Sequence, residues 1–295
     1  MKNSLRFILI LAFSMFLIGC MFEKSTKDVP VPLSESGNEK ALEKSSEITK
    51  EESNKNSNET TNEIPDKTSD ETPKEESNEK PEENKIVTNN KKKIVYLTFD
   101  DGPSNKVTSN VLDILKEKKV KATFFLIGNQ IKGREDIVKR IYNEGNNIGL
   151  HSYTHNYKKL YDNDDSFIKE MIDCRKEIQR VVGISPDIIR FPGGSYKKMS
   201  NNLLKRLHDN NFKVYDWNMD NCDGLKPQSS PDELFTKATS GSDKKDKIIL
   251  LLHCTGSNQN TCTALPQIIE YYKSHGYEFK IITKETKELY APITK

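Results

Sequence analysis

The sequence predicts an α/β fold of repeated strand–helix units that follows a long polar linker. From about residue 91, short runs rich in β-branched and aromatic residues alternate with amphipathic segments of helical period. Residues 23–90 consist mainly of Glu, Lys, Ser, Asn, Thr and Pro, a composition that buries too little apolar surface to offset the entropy of ordering. Roughly 200 residues of alternating elements suit one domain, either a barrel or a doubly wound sheet.

The N-terminal residues predict an exported chain. Lys2 and Arg6 precede the short apolar run 7–18, which is typical of a signal peptide over residues 1–19 and too short to span a bilayer comfortably. The following "LIGC" resembles the lipobox of bacterial lipoproteins, which implies a lipid on Cys20 and membrane attachment. Residues 20–90 are then a disordered tether, and residues 91–295 form the folded domain. An ordinary secretory signal that happens to contain a cysteine is the alternative.

Charge is distributed unevenly along the chain, although the net charge is only +2. Residues 34–85 carry 16 acidic and 8 basic side chains, a net charge of −8, whereas residues 86–295 carry 34 basic and 26 acidic ones, a net charge of +8. A mildly cationic domain favours an anionic surface such as a bacterial envelope. Export argues against nucleic acid as the partner.

Four cysteines follow Cys20, and their even number suggests disulfides in an extracytoplasmic protein, with three possible pairings. The sequence has no CxxC pair, so a thiolate zinc site is not expected. The four are Cys174, Cys222, Cys254 and Cys262.

Seven strands are predicted, at residues 94–99, 122–127, 147–150, 188–191, 213–217, 248–252 and 278–282. Six helices are predicted between them, at residues 107–119, 135–145, 164–183, 200–211, 231–239 and 264–276. Unusual polar residues stand where five of the strands end: Asp100, Asp101, His151, Arg190, Asp216 and His253. In a parallel barrel, the carboxyl ends of all strands lie on one face, where barrel active sites form.

The motif "HSYTH" places His151 and His155 four residues apart, so both imidazoles can face one point from a helical turn or a tight loop. With a carboxylate from "FDDG" they form a two-histidine, one-carboxylate metal site. A second aspartate beside the metal can take a proton from water. An Asx-turn at "DDGPS" is the alternative, but it explains only one of the two aspartates.

Five ordered motifs resemble those of the polysaccharide deacetylase family, also called NodB-like or carbohydrate esterase family 4. They are "TFDDG" at 98–102, "HSYTH" at 151–155, "RFPGG" at 190–194, "DW" at 216–217 and "LLLH" at 250–253. The resemblance implies a deformed (β/α)7 barrel and metal-dependent removal of acetyl groups from sugars.

The resemblance also implies roles for individual residues. Asp100 is the general base, and Asp101, His151 and His155 bind one divalent metal ion. Arg190 orients Asp100, the backbone near Gly193 stabilises the oxyanion, and His253, held by Asp216, protonates the leaving amine. Leu250 or Leu252 lines an acetyl pocket, and Trp217 forms a wall of the sugar groove. Zinc is the expected ion, with cobalt, nickel, manganese or iron as alternatives.

The expected activity is N-deacetylation of an envelope polysaccharide, with N-acetylglucosamine (GlcNAc) or N-acetylmuramic acid (MurNAc) of peptidoglycan favoured and chitooligosaccharides as a further substrate class. The alternatives are an O-acetyl esterase acting on a polymer such as xylan and a catalytically silent glycan-binding lipoprotein. An iron oxygenase could use the same ligand set, but it needs neither the second aspartate nor Arg190 and His253. A monomer attached to the bacterial cell membrane is expected.

Two departures from the family pattern stand out: Gly193 replaces a common tyrosine, and Cys254 replaces a common aspartate.

Overall fold

A curled sheet of eight parallel strands, flanked by helices, forms the part of the chain that the structure describes. The structure is a computed structural model, which describes residues 92–293. The predicted signal peptide, the lipidation site at Cys20 and the tether lie outside these residues. The strands are β1 (Lys93–Gly102), β2 (Thr123–Leu126), β3 (Asn147–Leu150), β4 (Ile188–Ile189), β5 (Lys213–Val214), β6 (Met219–Asp220), β7 (Lys247–His253) and β8 (Tyr277–Phe279).

The longest strand, β1, lies in the middle of the sheet. The strand order is β5-β4-β3-β2-β1-β7-β6, and β8 pairs with the start of β1. Every pair is parallel. In the register between β1 and β7, Asp100 stands opposite His253. Because the strands are parallel, all their carboxyl ends lie at the same edge of the sheet.

Within residues 92–293, seven α-helices connect and cover the strands, and several begin at residues that cap them. The N-cap side chains of Asn163, Ser200 and Ser230 each accept a hydrogen bond from a backbone N–H three residues on, which satisfies one of the free donors at a helix start. The helices are α1 (Val107–Glu117), α2 (Glu135–Asn143), α3 (Tyr157–Leu160), α4 (Asp164–Val182), α5 (Asn201–Asp209), α6 (Pro231–Thr239) and α7 (Gln259–Ser274). None of the helices within residues 92–293 is long and apolar enough to cross a membrane.

Strand alternation divides the apolar side chains between two faces of the sheet. In β1, Leu97 and Phe99 pack under the helices in the large core cluster. Their neighbour Tyr96 points to the opposite face and joins a smaller cluster with Phe125 and Ile249. Successive side chains of a strand point to opposite faces, so Asp100 shares the inner face with Tyr96.

All seven predicted strands are present, and within the described residues the prediction missed one strand and one α-helix. The extra strand β6 has only two residues, and the extra helix α3 has four. The last helix, α7, begins at Gln259, five residues before its predicted start.

Candidate active site

Polar side chains from several strand ends converge on one rim of the curled sheet. Asp100 and Asp101 lie at the C-terminal end of β1, and His151 directly follows β3. Arg190 follows β4, and His253 is the last residue of β7. This convergence agrees with the sequence prediction that unusual polar residues share the carboxyl edge of a parallel sheet.

Asp101, His151 and His155 form a cluster that fits a divalent cation. One ligand atom from each residue lies within 4.8 Å of the others. Asp101 Oδ1 is 3.4 Å from His151 Nε2 and 3.3 Å from His155 Nε2. Among the described residues, this buried carboxylate oxygen has no hydrogen-bond partner, although buried polar atoms are nearly always paired. A metal ion between the three side chains would provide the missing partner.

Local backbone geometry aims the three ligands at one point. Asp101 and His155 have φ values of 66° and 55°, a left-handed conformation that non-glycine residues seldom adopt without a specific reason. The "HSYTH" segment forms a loop, which the N–H of His155 tightens by donating to Ser152 Oγ. Of the two conformations predicted for this motif, the structure therefore has the tight loop.

The second ring nitrogen of His151 fixes the orientation of its imidazole. Nδ1 donates to the carbonyl oxygen of Arg190 at 3.0 Å, so Nε2 carries the free lone pair toward Asp101. Burial lowers the pKa of His151 to about 3, although the negative charge of Asp101 acts to raise it. The ring is therefore neutral at physiological pH, as a metal ligand must be.

Asp100 is buried and paired with Arg190. Arg190 Nη1 donates to Asp100 Oδ1 at 2.9 Å and to Thr98 Oγ1 at 2.7 Å, while its other nitrogens donate to the carbonyls of Tyr215 and Asp216. Burial raises the pKa of Asp100 above its usual value, and the positive charge of Arg190 opposes this rise. Asp100 is thus a more basic carboxylate than an exposed aspartate, held in one orientation by a fully buried guanidinium.

His253 is held by Asp223, and the prediction that Asp216 holds it is wrong. Asp223 Oδ1 lies 2.7 Å from His253 Nδ1, and Asp223 Oδ2 accepts from the backbone N–H of His253 at 3.0 Å. Thr261 Oγ1 donates to the same carboxylate. Burial alone would lower the pKa of His253, but the hydrogen bond and charge of Asp223 outweigh it and raise the pKa to about 9. The imidazole is therefore protonated at neutral pH and can donate a proton.

Comparisons with known proteins identify the family. A model of the family described as polysaccharide deacetylase matches residues 88–211. A peptidoglycan-N-acetylglucosamine deacetylase of Bacillus cereus is 34% identical over 200 residues, which cover 66% of this chain and 71% of that relative. The chain belongs to the polysaccharide deacetylase family.

Another relative and a solved structure agree with this family. The peptidoglycan-N-acetylmuramic acid deacetylase PdaA of Bacillus subtilis is 31% identical over 199 residues, or 66% of this chain and 72% of PdaA. The crystal structure of the polysaccharide deacetylase Bc1974 from Bacillus cereus matches with a TM-score of 0.60 and 34% identity, covering 68% of this chain and 96% of that one. This likeness confirms the predicted deformed (β/α)7 barrel. Polysaccharide deacetylases are metal-dependent hydrolases, in keeping with the cluster around Asp101.

Asp216 stabilises a neighbouring loop of this polysaccharide deacetylase domain. Its carboxylate accepts hydrogen bonds from the N–H and the hydroxyl of Ser195 and from the N–H of Ala291. Its backbone carbonyl accepts from Arg190. Asp216 therefore ties the loop after β4 to the C-terminal segment and supports the arginine through its main chain.

Gly193 and Trp217 lie in the segments that follow β4 and β5. Gly193 has a φ of 67° and Gly194 a φ of 75°, so the glycine that replaces the common tyrosine adopts a conformation that glycine readily accepts. Trp217 is partly buried, packs against the inner apolar cluster, and lies 3.2 Å from the point where a Cβ on Gly194 would stand. Its contact with a sugar stays a prediction.

Leu250 and Leu252 do not line the site, contrary to the sequence prediction. Both are fully buried in the core between the sheet and the helices, on the face of β7 opposite to His253. Leu251 shares the face of His253, because residues two apart in a strand point the same way. Leu251 is 3% exposed, and it is the leucine of β7 that faces the inside of the barrel.

The suggested disulfides are not formed by Cys174, Cys254 and Cys262, which are free thiols. Cys254 is fully buried, and its Sγ lies 3.5 Å from the carbonyl oxygen of Asp100. Burial raises the pKa of its thiol, so it remains protonated and packs as a small apolar group behind the catalytic strand. Cys254 therefore does not face the site beside His253.

Sequence reasoning missed Asp223 because its contact with His253 depends on the short strand β6. Pairing of β6 with β7 sets Asp220 opposite Leu251, and three residues later the chain reaches the imidazole. The only local signal was a second acidic residue in "DNCDG" after the "DW" motif. Gly224 was also missed: its backbone packs on the His253 ring, and an added Cβ would lie 2.4 Å from Cε1.

Proposed function

We propose that this protein is a metal-dependent N-deacetylase that removes acetyl groups from GlcNAc or MurNAc residues of peptidoglycan. The observation that carries the proposal is the register between β1 and β7, which sets Asp100 opposite His253 beside the Asp101, His151 and His155 cluster. A buried carboxylate and a protonated imidazole on adjacent strands are the two groups that amide hydrolysis requires. The relatives that act on GlcNAc and on MurNAc in peptidoglycan support the choice of substrate.

Asp100 serves as the general base. Its raised pKa makes it a better proton acceptor than an exposed aspartate, and Arg190 holds Oδ1 so that Oδ2 faces the site. Asp100 Oδ2 lies 3.6 Å from His151 Nε2, next to the three proposed ligands. The carboxylate therefore takes the proton of the attacking water, and the oxygen of that water adds to the acetyl carbonyl carbon.

His253 serves as the general acid. Its raised pKa keeps it protonated at neutral pH, and Asp223 holds Nδ1, which leaves Nε2 directed toward the substrate. Nε2 protonates the nitrogen of the sugar as the bond between that nitrogen and the acetyl carbon breaks. The products are acetate and a free amine on the sugar.

The backbone N–H of Gly193 donates to the oxyanion that forms on the acetyl oxygen. Gly193 lies in the loop that follows β4 and Arg190, so the donor belongs to the same strand end as the arginine that holds the base. Leu251, on the inner face of β7, is the side chain we assign to the acetyl methyl group in place of Leu250 and Leu252.

Asp101, His151 and His155 hold one divalent ion, for which we propose zinc. Two ligands at the usual distance from tetrahedral zinc lie about 3.3 Å apart, close to the observed 3.3 and 3.4 Å. A bound ion would polarise the acetyl carbonyl and lower the pKa of water in the site. Cobalt, nickel, manganese and iron accept the same nitrogen and oxygen ligands.

We also propose that the protein is exported and attached to the cell membrane through a lipid on Cys20. The predicted signal peptide and the "LIGC" motif support this location. A long polar tether would let the domain reach wall strands away from the membrane. Mass spectrometry of the membrane fraction would test it: an unmodified Cys20, or a protein released without detergent, would contradict the anchor.

Acetate release tests the activity directly. The protein is stripped of metal, reloaded with zinc or cobalt, and incubated in parallel with peptidoglycan, chitin oligomers and acetylated xylan. We expect metal-dependent acetate from the N-acetylated glycans, and a loss on the order of 10²-fold or more in Asp100→Asn. Asp209→Asn, an exposed helical residue, serves as the control variant.

Other outcomes would contradict the proposal. Acetate from acetylated xylan alone would make the protein an O-acetyl esterase. Saturable glycan binding without acetate release under any metal would make it a binding protein.

A further inference from the structure

The peptide bond between Pro192 and Gly193 is held from its carbonyl side by two side chains. The carbonyl oxygen of Pro192 accepts a hydrogen bond from Lys198 Nζ at 2.7 Å and another from the hydroxyl of Tyr161 at 2.7 Å. Lys198 Nζ also donates to the next carbonyl, that of Gly193, at 2.8 Å. Two consecutive peptide groups of this loop are thus fixed by one ammonium group.

The position of Lys198 is itself determined by aromatic packing. Its Nζ lies 4.9 Å from the ring centroid of Tyr161 and 5.4 Å from that of Tyr157, where cation–π attraction operates. Tyr161 stacks on Phe167, which stacks on Phe191 in the core. A Cβ on Gly193 would stand 2.7 Å from the Tyr157 hydroxyl and 2.9 Å from Lys198 Nζ. Glycine at this position therefore leaves room for the lysine.

The Pro192–Gly193 peptide is the central peptide of a turn that the N–H of Gly194 closes by donating to the carbonyl of Phe191 at 2.8 Å, and the central peptide of such a turn can adopt two orientations. Gly193 and Gly194 both have positive φ, and glycine explores more backbone conformations than any other residue. A peptide group between Pro192 and two glycines can rotate at little steric cost. The two hydrogen bonds to the Pro192 carbonyl select one of its orientations.

A planar trans peptide points its N–H opposite to its C=O. Lys198 and Tyr161 hold the Pro192 carbonyl, so they also set the direction of the Gly193 N–H. A hydrogen bond from a charged donor is about twice as strong as a neutral one, and hydrogen bonds in a chain polarise one another. The ammonium on the carbonyl therefore makes the Gly193 N–H a stronger donor.

We propose that Lys198 and Tyr161 are positioning residues that orient and polarise the backbone donor for the oxyanion. This inference rests on the proposed function, in which the Gly193 N–H stabilises the transition state. Preorganised donors of this kind act on the transition state far more than on bound substrate. Loss of either side chain should therefore lower kcat and leave KM nearly unchanged.

The kinetic test uses Lys198→Met, Tyr161→Phe, the double variant and Lys198→Arg, with acetate release as the assay. We expect kcat to fall about 10- to 100-fold in Lys198→Met, as when outer groups that orient a reacting group are removed, and less in Tyr161→Phe. The losses should not multiply in the double variant, because both side chains bind one carbonyl. Lys198→Arg should recover part of the loss. Lys205→Met, which removes an exposed lysine paired with Asp209, is the control.

A crystal structure of the double variant gives a readout that does not depend on activity. We expect the Pro192–Gly193 peptide to rotate away from its present orientation. An unchanged peptide, an unchanged kcat in Lys198→Met, or a rise in KM as the main effect would each overturn the inference. If the wild type releases no acetate, the proposed function fails on its own, and the orientation of the peptide still decides whether the two side chains hold it.

Discussion

At the level of single residues, the protonation of His253 depends on Asp223. The pKa of His253 is raised to about 9, so the proton donor is present at neutral pH and is lost as the pH rises through about 9. In Asp223→Asn the hydrogen-bonded charge is gone, burial dominates, and the pKa falls. We expect the alkaline limb of kcat/KM to move to lower pH and activity at pH 8 to fall on the order of 10²-fold. A pH–rate profile measures both effects. An alkaline limb that stays in place would contradict the role of Asp223, and Asp209→Asn is the matched control.

Gly224 provides a steric test of the same histidine. A Cβ at this position would lie 2.4 Å from Cε1 of His253, so in Gly224→Ala the imidazole must move. We expect activity to fall at least about tenfold, since a general acid contributes roughly 10²- to 10⁴-fold. Gly256→Ala is the control, because a Cβ at Gly256 meets no atom within 4 Å. Equal activity in the two variants would show that His253 does not act from its present position.

At the level of elements, one face of β7 packs in the core and the other faces the site. Leu250→Ala removes a fully buried side chain from the core under the helices, and we expect the free energy of unfolding to fall by about 2–5 kcal/mol. Kinetic constants of the folded fraction should stay unchanged. Leu251→Ala acts on the inner face and should alter the preference between acetyl and propionyl substrates. Denaturant unfolding and paired kinetics measure the two effects, and a substrate preference altered by Leu250→Ala would contradict the assignment of faces.

The element scale also explains which predictions from the sequence succeeded. Strand ends carrying Asp100, His151 and His253 were predictable, because charged or imidazole side chains directly follow apolar runs. The side of β7 that faces the site was not predictable, because residues 249–252 are all apolar and a strand buried on both sides shows no alternation of apolar and polar residues. Asp223 could not be assigned to His253 because β6, which brings them together, has only two residues and no periodicity. The disulfides were suggested by the number of cysteines, but the Cys174 thiol contacts the carbonyl of Leu126 and the Cys254 thiol contacts that of Asp100.

At the level of the whole molecule, metal binding should stabilise the fold. An ion that binds the native state alone stabilises it by about 2.7 kcal/mol at a concentration 100 times its dissociation constant. We therefore expect a chelator to lower the Tm of the wild type and abolish acetate release. In Asp101→Asn the Tm should no longer respond to zinc, and the backbone should be unaffected because Asn accepts a left-handed φ well. Thermal unfolding with and without zinc measures this. A zinc-dependent Tm in Asp101→Asn would place the ion elsewhere.

The central position of β1 has a consequence for how the protein acquires its structure. The hydrogen bond from Thr98 to Leu250 joins residues 152 positions apart, and β8, still later in the chain, also pairs with β1. Contacts of such long sequence separation slow folding. Until β7 has been synthesised, β1 lacks the neighbouring strand that carries His253. The core therefore cannot form completely during most of synthesis. For an exported protein, as we propose this one to be, this delay favours passage through the membrane before the domain folds.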